Sequence, residues 1–204
     1  MISREEIEKK RSPRGLRLFV RRVIEKVRLI TDERHKAMRR VGLYKVFTDE
    51  IIPLSLFALR VYPTTYSVQP VIGNQGYDAL VKNKRGRIVD HLEITWPQYG
   101  KRKSDDALMI VRRGYGDIDV YSPGEDIDRL CSIILKTCQK KAQKDYSDCT
   151  LVVVIDFVAP FSQHYGLYYR KIKAVADQIK SISFRAKRVF LLIVPFSKVY
   201  KISG

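Results

Sequence analysis

Two acidic residues fifteen positions apart, Asp78 and Glu93, stand in surroundings that bring carboxylates together. They belong to two strand-like segments, Tyr77 to Lys82 and Arg87 to Thr95. These flank Asn83-Lys84-Arg85-Gly86, a polar tetrapeptide ending in glycine that suits a hairpin turn. Side chains alternate along a strand, so His91, Glu93 and Thr95 share one face, and Leu92 and Ile94 take the other. Pairing about the centre of the turn sets Asp78 opposite His91 and one diagonal step from Glu93, about 7 to 8 Å at the backbone. One divalent cation held by both side chains bridges that span. Carboxylate oxygens suit Mg2+ or Mn2+, ions that keep several waters and accept phosphate oxygens as further ligands. The chemistry to expect is phosphodiester hydrolysis, in which the ion activates water and stabilises charge on the leaving oxygen. Lys141, or another lysine, is expected to add a positive charge beside the reacting phosphate. The expected catalytic set is therefore Asp78, Glu93 and Lys141, with Asp78 and Glu93 as metal ligands.

The rest of the chain surrounds these acids with bases. Of 204 residues, 39 are Lys or Arg and 22 Asp or Glu, a formal net charge of +17. The counterpart of such a surplus is a polyphosphate, because each neutralised phosphate releases condensed counterions. The expected partner is nucleic acid, DNA ahead of RNA. Residues 1–45 hold 15 Lys and Arg against 6 Asp and Glu, so about half of the excess sits in the first fifth of the chain. Lys101, Arg102, Lys103, Arg112 and Arg113, with Tyr99 and Tyr115 nearby, mix phosphate pairing with base stacking and form the expected nucleic-acid-binding set.

An apolar share of 45% supports a packed core and excludes global disorder. The longest apolar run, Ile51 to Leu59, is interrupted by Pro53 and Ser55 and falls short of a bilayer span, so no membrane is expected. Met1 to Glu6 has no apolar stretch behind its charges, and the cysteines Cys131, Cys138 and Cys149 lack disulfide or metal spacing. Both features point to an intracellular, cytoplasmic protein. Assembly as a homodimer stays open.

The elements that must position the site follow from periodicity. Leu16, Phe19, Val20, Val23, Ile24, Val27 and Ile30 recur at intervals of three and four, which predicts one helix over Gly15 to Arg40, apolar on one face and basic on the other. A second helix is expected after Thr48 as N-cap, through Ile51 to Val61, with Pro53 tolerated in its first turn. Tyr62 to Gly76 reads as a connection, and Pro97 to Gly124 as an irregular insertion around a short strand, Ala107 to Val111. A helix opening at Ser122-Pro123-Gly124 follows, with Ile127, Leu130, Cys131, Ile134 and Cys138 on one face. On it, Lys136, Lys140 and Lys144 lie opposite, and Lys141 flanks the apolar stripe. Leu151 to Ile155 is a strand buried on both sides. A helix carrying Ile172, Val175, Ile179 and Ile182 leads to a last strand, Val189 to Val194. The order predicts an α/β domain with a mixed central sheet and flanking helices over residues 46–204, preceded by a basic helical segment over residues 1–45.

This pattern resembles the PD-(D/E)XK nuclease superfamily, the restriction-endonuclease-like fold. The match is Tyr77-Asp78 followed by Glu93-Ile94-Thr95, over about residues 45–195. Tyr77 stands where proline is common and Thr95 where the motif lysine is expected. The resemblance implies a divalent-metal-dependent nuclease acting on DNA. It also implies that a lysine from the following helix, Lys141 or Lys144, can supply the missing charge, and that an acid from the preceding helix, Glu50, can join the site.

Other features carry less. His35, His91 and His164 fit no metal-binding spacing, although His91 shares a face with Glu93. Cys131 and Cys138 read as core. Gly73-Asn74-Gln75-Gly76 lacks the Gly-Lys-Ser/Thr of a phosphate loop. Two further readings compete with a nuclease: a non-catalytic nucleic-acid-binding protein of the same fold, favoured by Thr95, and an interaction protein whose basic surface engages an acidic partner.

Overall fold

The computed structural model describes residues 2–73, 75–97, 123–157 and 164–204. It resolves into two compact units, Met1–Ile94 with Asp148–Val152, and Thr95–Ser147 with Val153–Gly204. The expected strand at Ala107 to Val111 lies outside the described residues.

In the first unit, Ser3 and Glu6 form a capping box that opens a short helix, α1 (Arg4–Glu8). Ser12 caps α2 (Pro13–Leu29), with Pro13 at its first position, where the missing N–H costs nothing. The expected single helix to Arg40 is two. Ile30 is extended (φ −112°, ψ 112°), and α3 (Thr31–Met38) restarts with Asp32 and Glu33 in its first turn, where carboxylates suit the helix dipole.

The second expected boundary also moves. Thr48 caps nothing; its Oγ1 donates to the carbonyl of Tyr44 at 2.8 Å. It lies inside a continuous run of α4 (Leu43–Val46), a π-helical turn (Phe47–Ile51) and α5 (Ile52–Val61). Pro53 accounts for the widened turn, since a proline ring inside a helix clashes with the carbonyl four residues back, here Asp49. α5 buries Leu54, Leu56, Phe57 and Ala58 and packs against α2.

The strands of this unit are β1 (Ser67–Pro70), β2 (Ala79–Lys82) and β3 (Ile88–Thr95), consecutively antiparallel. β1 falls within the expected connection. It is four residues long, ends in proline and buries Val68 and Pro70, too short for its alternation to stand out. Asn83 builds the turn: its Oδ1 accepts the N–H groups of Arg85 and Arg87, and Gly86 takes the left-handed conformation at φ +77°.

The second unit runs α6 (Pro123–Ala142), β4 (Tyr146–Ile155, of which Asp148–Val152 belongs to the first unit), α7 (Tyr165–Ile179), β5 (Ala186–Ile193) and β6 (Lys198–Ser203). Ile127, Cys131, Ile134 and Cys138 are buried on α6, whereas Lys136 and Lys140 are exposed and Lys141 is half-buried, as the helical wheel requires; Lys144, expected on the same helix, lies exposed beyond its end at Ala142. The N–H of Tyr146 bonds Arg185 and the N–H of Val194 bonds Ile155. Starts therefore meet starts and ends meet ends, so β4 and β5 are parallel, with α7 as the crossover. β6 returns antiparallel to β5. The sheet has six strands in the order β1-β2-β3-β4-β5-β6, and the chain is an α/β protein with a mixed sheet and flanking helices. Among the described residues, no helix is long and apolar enough to cross a membrane.

Candidate active site

Asp78 immediately precedes β2 and Glu93 lies near the end of β3, and the register sets them opposite one another rather than one diagonal step apart. Lys82 pairs with Ile88, then a bulge between Val81 and Lys82 shifts the register, so that Val81 faces Asp90 and Ala79 faces Leu92. Each irregular step moves the partner of Asp78 further along β3. The outcome corrects the expected opposition to His91: the Asp78 N–H donates to the carbonyl of Leu92 at 2.7 Å, and Asp78 Oδ2 accepts the N–H of Ile94 at 2.6 Å. These two bonds bracket Glu93. A bulge re-aims side chains in just this way and is frequent beside active sites.

A third carboxylate joins them. Glu50, in the π-helical turn, is pushed up to about 7 by burial and by the negative charges of Asp78 and Glu93, against the opposing pull of Lys45. Such turns often occur where a helix presents a functional side chain. Cys149 on β4 feels the same field: its thiol is raised by burial and by Glu93, Asp148, Asp90 and Asp78. Like charges at close quarters disfavour ionisation, and a proton held by Glu50 lowers the repulsion.

The loop that delivers Asp78 is tied down by α1. Arg4 and Glu8 pair at 2.9 Å, and together they take both main-chain groups of Ile72: Glu8 Oε1 accepts its N–H at 2.8 Å and Arg4 Nη2 donates to its carbonyl at 2.6 Å. Gln75 Nε2 spans the loop, donating to the carbonyls of Val71 and Tyr77, and the N–H of Val71 bonds the carbonyl of Asp78 at 2.9 Å. Sequence reasoning missed this clamp. Ser3-x-x-Glu6 signals a helix start, but nothing local marks Ile72 as its partner. The Tyr77 ring lies 4.7 Å from that of His91.

Asp90, also on β3, is buried at 1% exposure and accepts bonds from Thr150 Oγ1 at 2.9 Å and from the Tyr62 hydroxyl. Strand-terminal Thr95 is also buried, and its Oγ1 has no hydrogen-bond partner among the described residues. Lys141, in the last turn of α6, donates to the Tyr146 hydroxyl at 3.0 Å and lies 5.2 Å from that ring's centroid. Lys101, Arg102, Lys103, Arg112 and Arg113 lie outside the described residues. A described basic surface is that of α2, where Arg14, Arg21 and Arg28 recur every seven residues and are exposed, with Arg22 and Lys26 beside them. Arg11 is not part of it. Its guanidinium caps carbonyls at the end of α1 and covers the Phe19 ring at 3.9 Å.

No family model, curated protein or solved structure matches this chain. Among the described residues, no group of three or more His, Cys, Asp or Glu side chains is placed so that it could hold a metal ion. The donor chemistry nonetheless fits a hard divalent cation. Glu50, Asp78 and Glu93 offer only carboxylate oxygen, the donor type that such cations take.

Proposed function

We propose that this protein is a divalent-metal-dependent nuclease of the restriction-endonuclease-like class, hydrolysing phosphodiester bonds of DNA. The observation that carries the reading is the convergence of Glu50, Asp78 and Glu93 from a π-helical turn and two strands. Asp78 and Glu93, with Glu50, would hold Mg2+ or Mn2+, which supplies an activated water and offsets charge on the leaving oxygen. Asp78 contributes a carboxylate fixed by the Ile94 N–H, and Glu50 contributes a group able to exchange its proton for the ion. The exposed arginines of α2 give a phosphate backbone sequence-independent contacts.

A second reading, binding of nucleic acid without cleavage, is favoured by Thr95, which has no charge to offer where the motif lysine is expected. Incubation of supercoiled plasmid with Mg2+ or Mn2+ separates the two. The nuclease nicks or linearises it, EDTA stops the reaction, and Asp78→Asn and Glu93→Gln retain DNA binding while losing cleavage by at least about a hundredfold. Salt-dependent binding with no cleavage by the wild type under either ion assigns the chain to the second reading.

A further inference from the structure

α7 and β6 align aromatic and cationic residues that the proposed hydrolysis does not use. Tyr165, Tyr169 and Lys173 are spaced by four on α7 and so lie along one face of the helix. Lys198 and Tyr200 are spaced by two on β6 and so lie on one side of the strand. The two rows meet. The Tyr200 hydroxyl donates to Tyr169 Oη at 2.8 Å, and Lys198 Nζ donates to the same oxygen at 3.3 Å while lying 4.5 Å from the Tyr169 ring centroid. Phe196 braces the rings edge-on, with centroids 5.8 Å from Tyr165 and 5.7 Å from Tyr169, and is itself packed against Phe157 at 5.7 Å.

The phenol of Tyr169 is lowered by its bonds from Tyr200 and Lys198, with Lys198 and Lys173 adding their charge, whereas burial and the bond to Tyr169 keep Tyr200 protonated, pushed up to about 12. Tyr165 remains 40% exposed, and Lys173 and Lys198 are exposed. The result is a pair of tyrosine rings braced by Phe196, Tyr165 exposed and Tyr169 half-buried, bordered by lysines.

We propose that Tyr165, Tyr169, Lys173 and Lys198 form a docking platform for single-stranded nucleic acid, with bases stacking on the tyrosines and the lysines pairing with phosphates. The inference rests on the reading of the chain as a nucleic-acid enzyme and adds the form of the substrate it engages. Aromatic rings beside ammonium groups suit unpaired bases, because every base has a π-face and a duplex hides it. An acidic protein partner gains from the lysines but nothing from the rings. A bilayer asks for an apolar helix face, and here the exposed positions are phenols and lysines.

Fluorescence anisotropy with the full chain tests it, using labelled oligo(dT) and a duplex of the same length without added divalent ions. The wild type binds both. Tyr165→Leu, which keeps an apolar contact with Phe196 but removes the stacking face, is expected to weaken oligo(dT) binding about tenfold and leave duplex binding within twofold. Tyr169→Phe keeps the ring and is expected to bind oligo(dT) like the wild type. Lys198→Gln weakens oligo(dT) binding and flattens its salt dependence. Unchanged oligo(dT) binding by Tyr165→Leu, with duplex binding intact, overturns the platform alone. Displacement of oligo(dT) by poly-glutamate of equal charge at equal concentration also overturns it. Failure of the wild type to bind either nucleic acid overturns both the platform and the nuclease reading.

Discussion

Asp78 and Ile94 are joined by a side-chain-to-backbone hydrogen bond, Oδ2 accepting the N–H at 2.6 Å, which fixes a charged group against the strand that carries Glu93. Asparagine can offer Ile94 the same acceptor without the charge. Asp78→Asn is therefore expected to fold with a thermal midpoint near that of the wild type, to lose Mn2+ binding by tenfold or more in calorimetry, and to let Glu50 ionise at lower pH. Asp78→Ala leaves the N–H unpaired and is expected to cost about 1 kcal/mol in addition. Equal metal affinity in Asp78→Asn and wild type would count against the site.

Glu50 predicts a pH dependence. Its folded-state value of about 7 lies above the ordinary 4.5, so the native carboxyl binds a proton more tightly than the unfolded one. The stability this contributes is complete below about 4.5 and is lost as pH rises through about 7. Because the group is partly solvated, the effect is on the order of 1–2 kcal/mol rather than the full linkage value. Metal-free protein is expected to melt at lower temperature at pH 8 than at pH 5.5 on this account, and Glu50→Gln to flatten that slope. Mg2+ at pH 8 should restore the loss in the wild type and not in Glu50→Gln.

The carboxylate pair was legible in the sequence because strand alternation and a polar turn act over a few residues. Its register was not, because the bulge at Val81 and Lys82 depends on how the strands twist together, and no residue type announces it. Glu50 was in view only through a family resemblance, since its approach depends on a π-helical turn set by Pro53. The buried runs at Leu151 to Ile155 and Val189 to Ile193 were plain from composition. β1 and β6 were not: each is short and half-exposed, with few apolar residues, and earns its pairing from a neighbour distant in sequence.

The α1 clamp predicts an effect at a distance from the acids. Glu8 is held below the usual carboxylate range by Arg4 and by the Ile72 N–H, so it grips the loop throughout the neutral range. Glu8→Ala frees Ile72 and is expected to lower metal affinity about tenfold, the low end for groups that orient ligands. Glu8→Gln keeps an acceptor for the Ile72 N–H and should lose less. Hydrogen exchange at Ile72 supplies the independent readout, with faster exchange in Glu8→Ala.

The buried Asp90 depends on its donors. Thr150→Val removes one hydroxyl and leaves a buried carboxylate less satisfied, at an expected cost of about 2 kcal/mol. Tyr62→Phe removes another donor and should cost a similar amount. Because both act on one carboxylate, the double variant is expected to depart from additivity in chemical denaturation by at least about 0.5 kcal/mol. Strict additivity would show that the two hydroxyls do not share Asp90 as a common partner.

Thr95 gives a prediction of opposite sign. Its buried hydroxyl has no partner among the described residues, and a buried donor without a partner carries its desolvation cost uncompensated. Valine matches the shape and removes that group. Thr95→Val is expected to raise the thermal midpoint of the metal-free protein, by an amount equivalent to about 1 kcal/mol, while Mn2+ affinity stays within twofold, because the proposed ligands are Glu50, Asp78 and Glu93. A lower midpoint in Thr95→Val would mean that the hydroxyl is satisfied in the folded protein, and a lost Mn2+ site would place it among the groups that hold the ion.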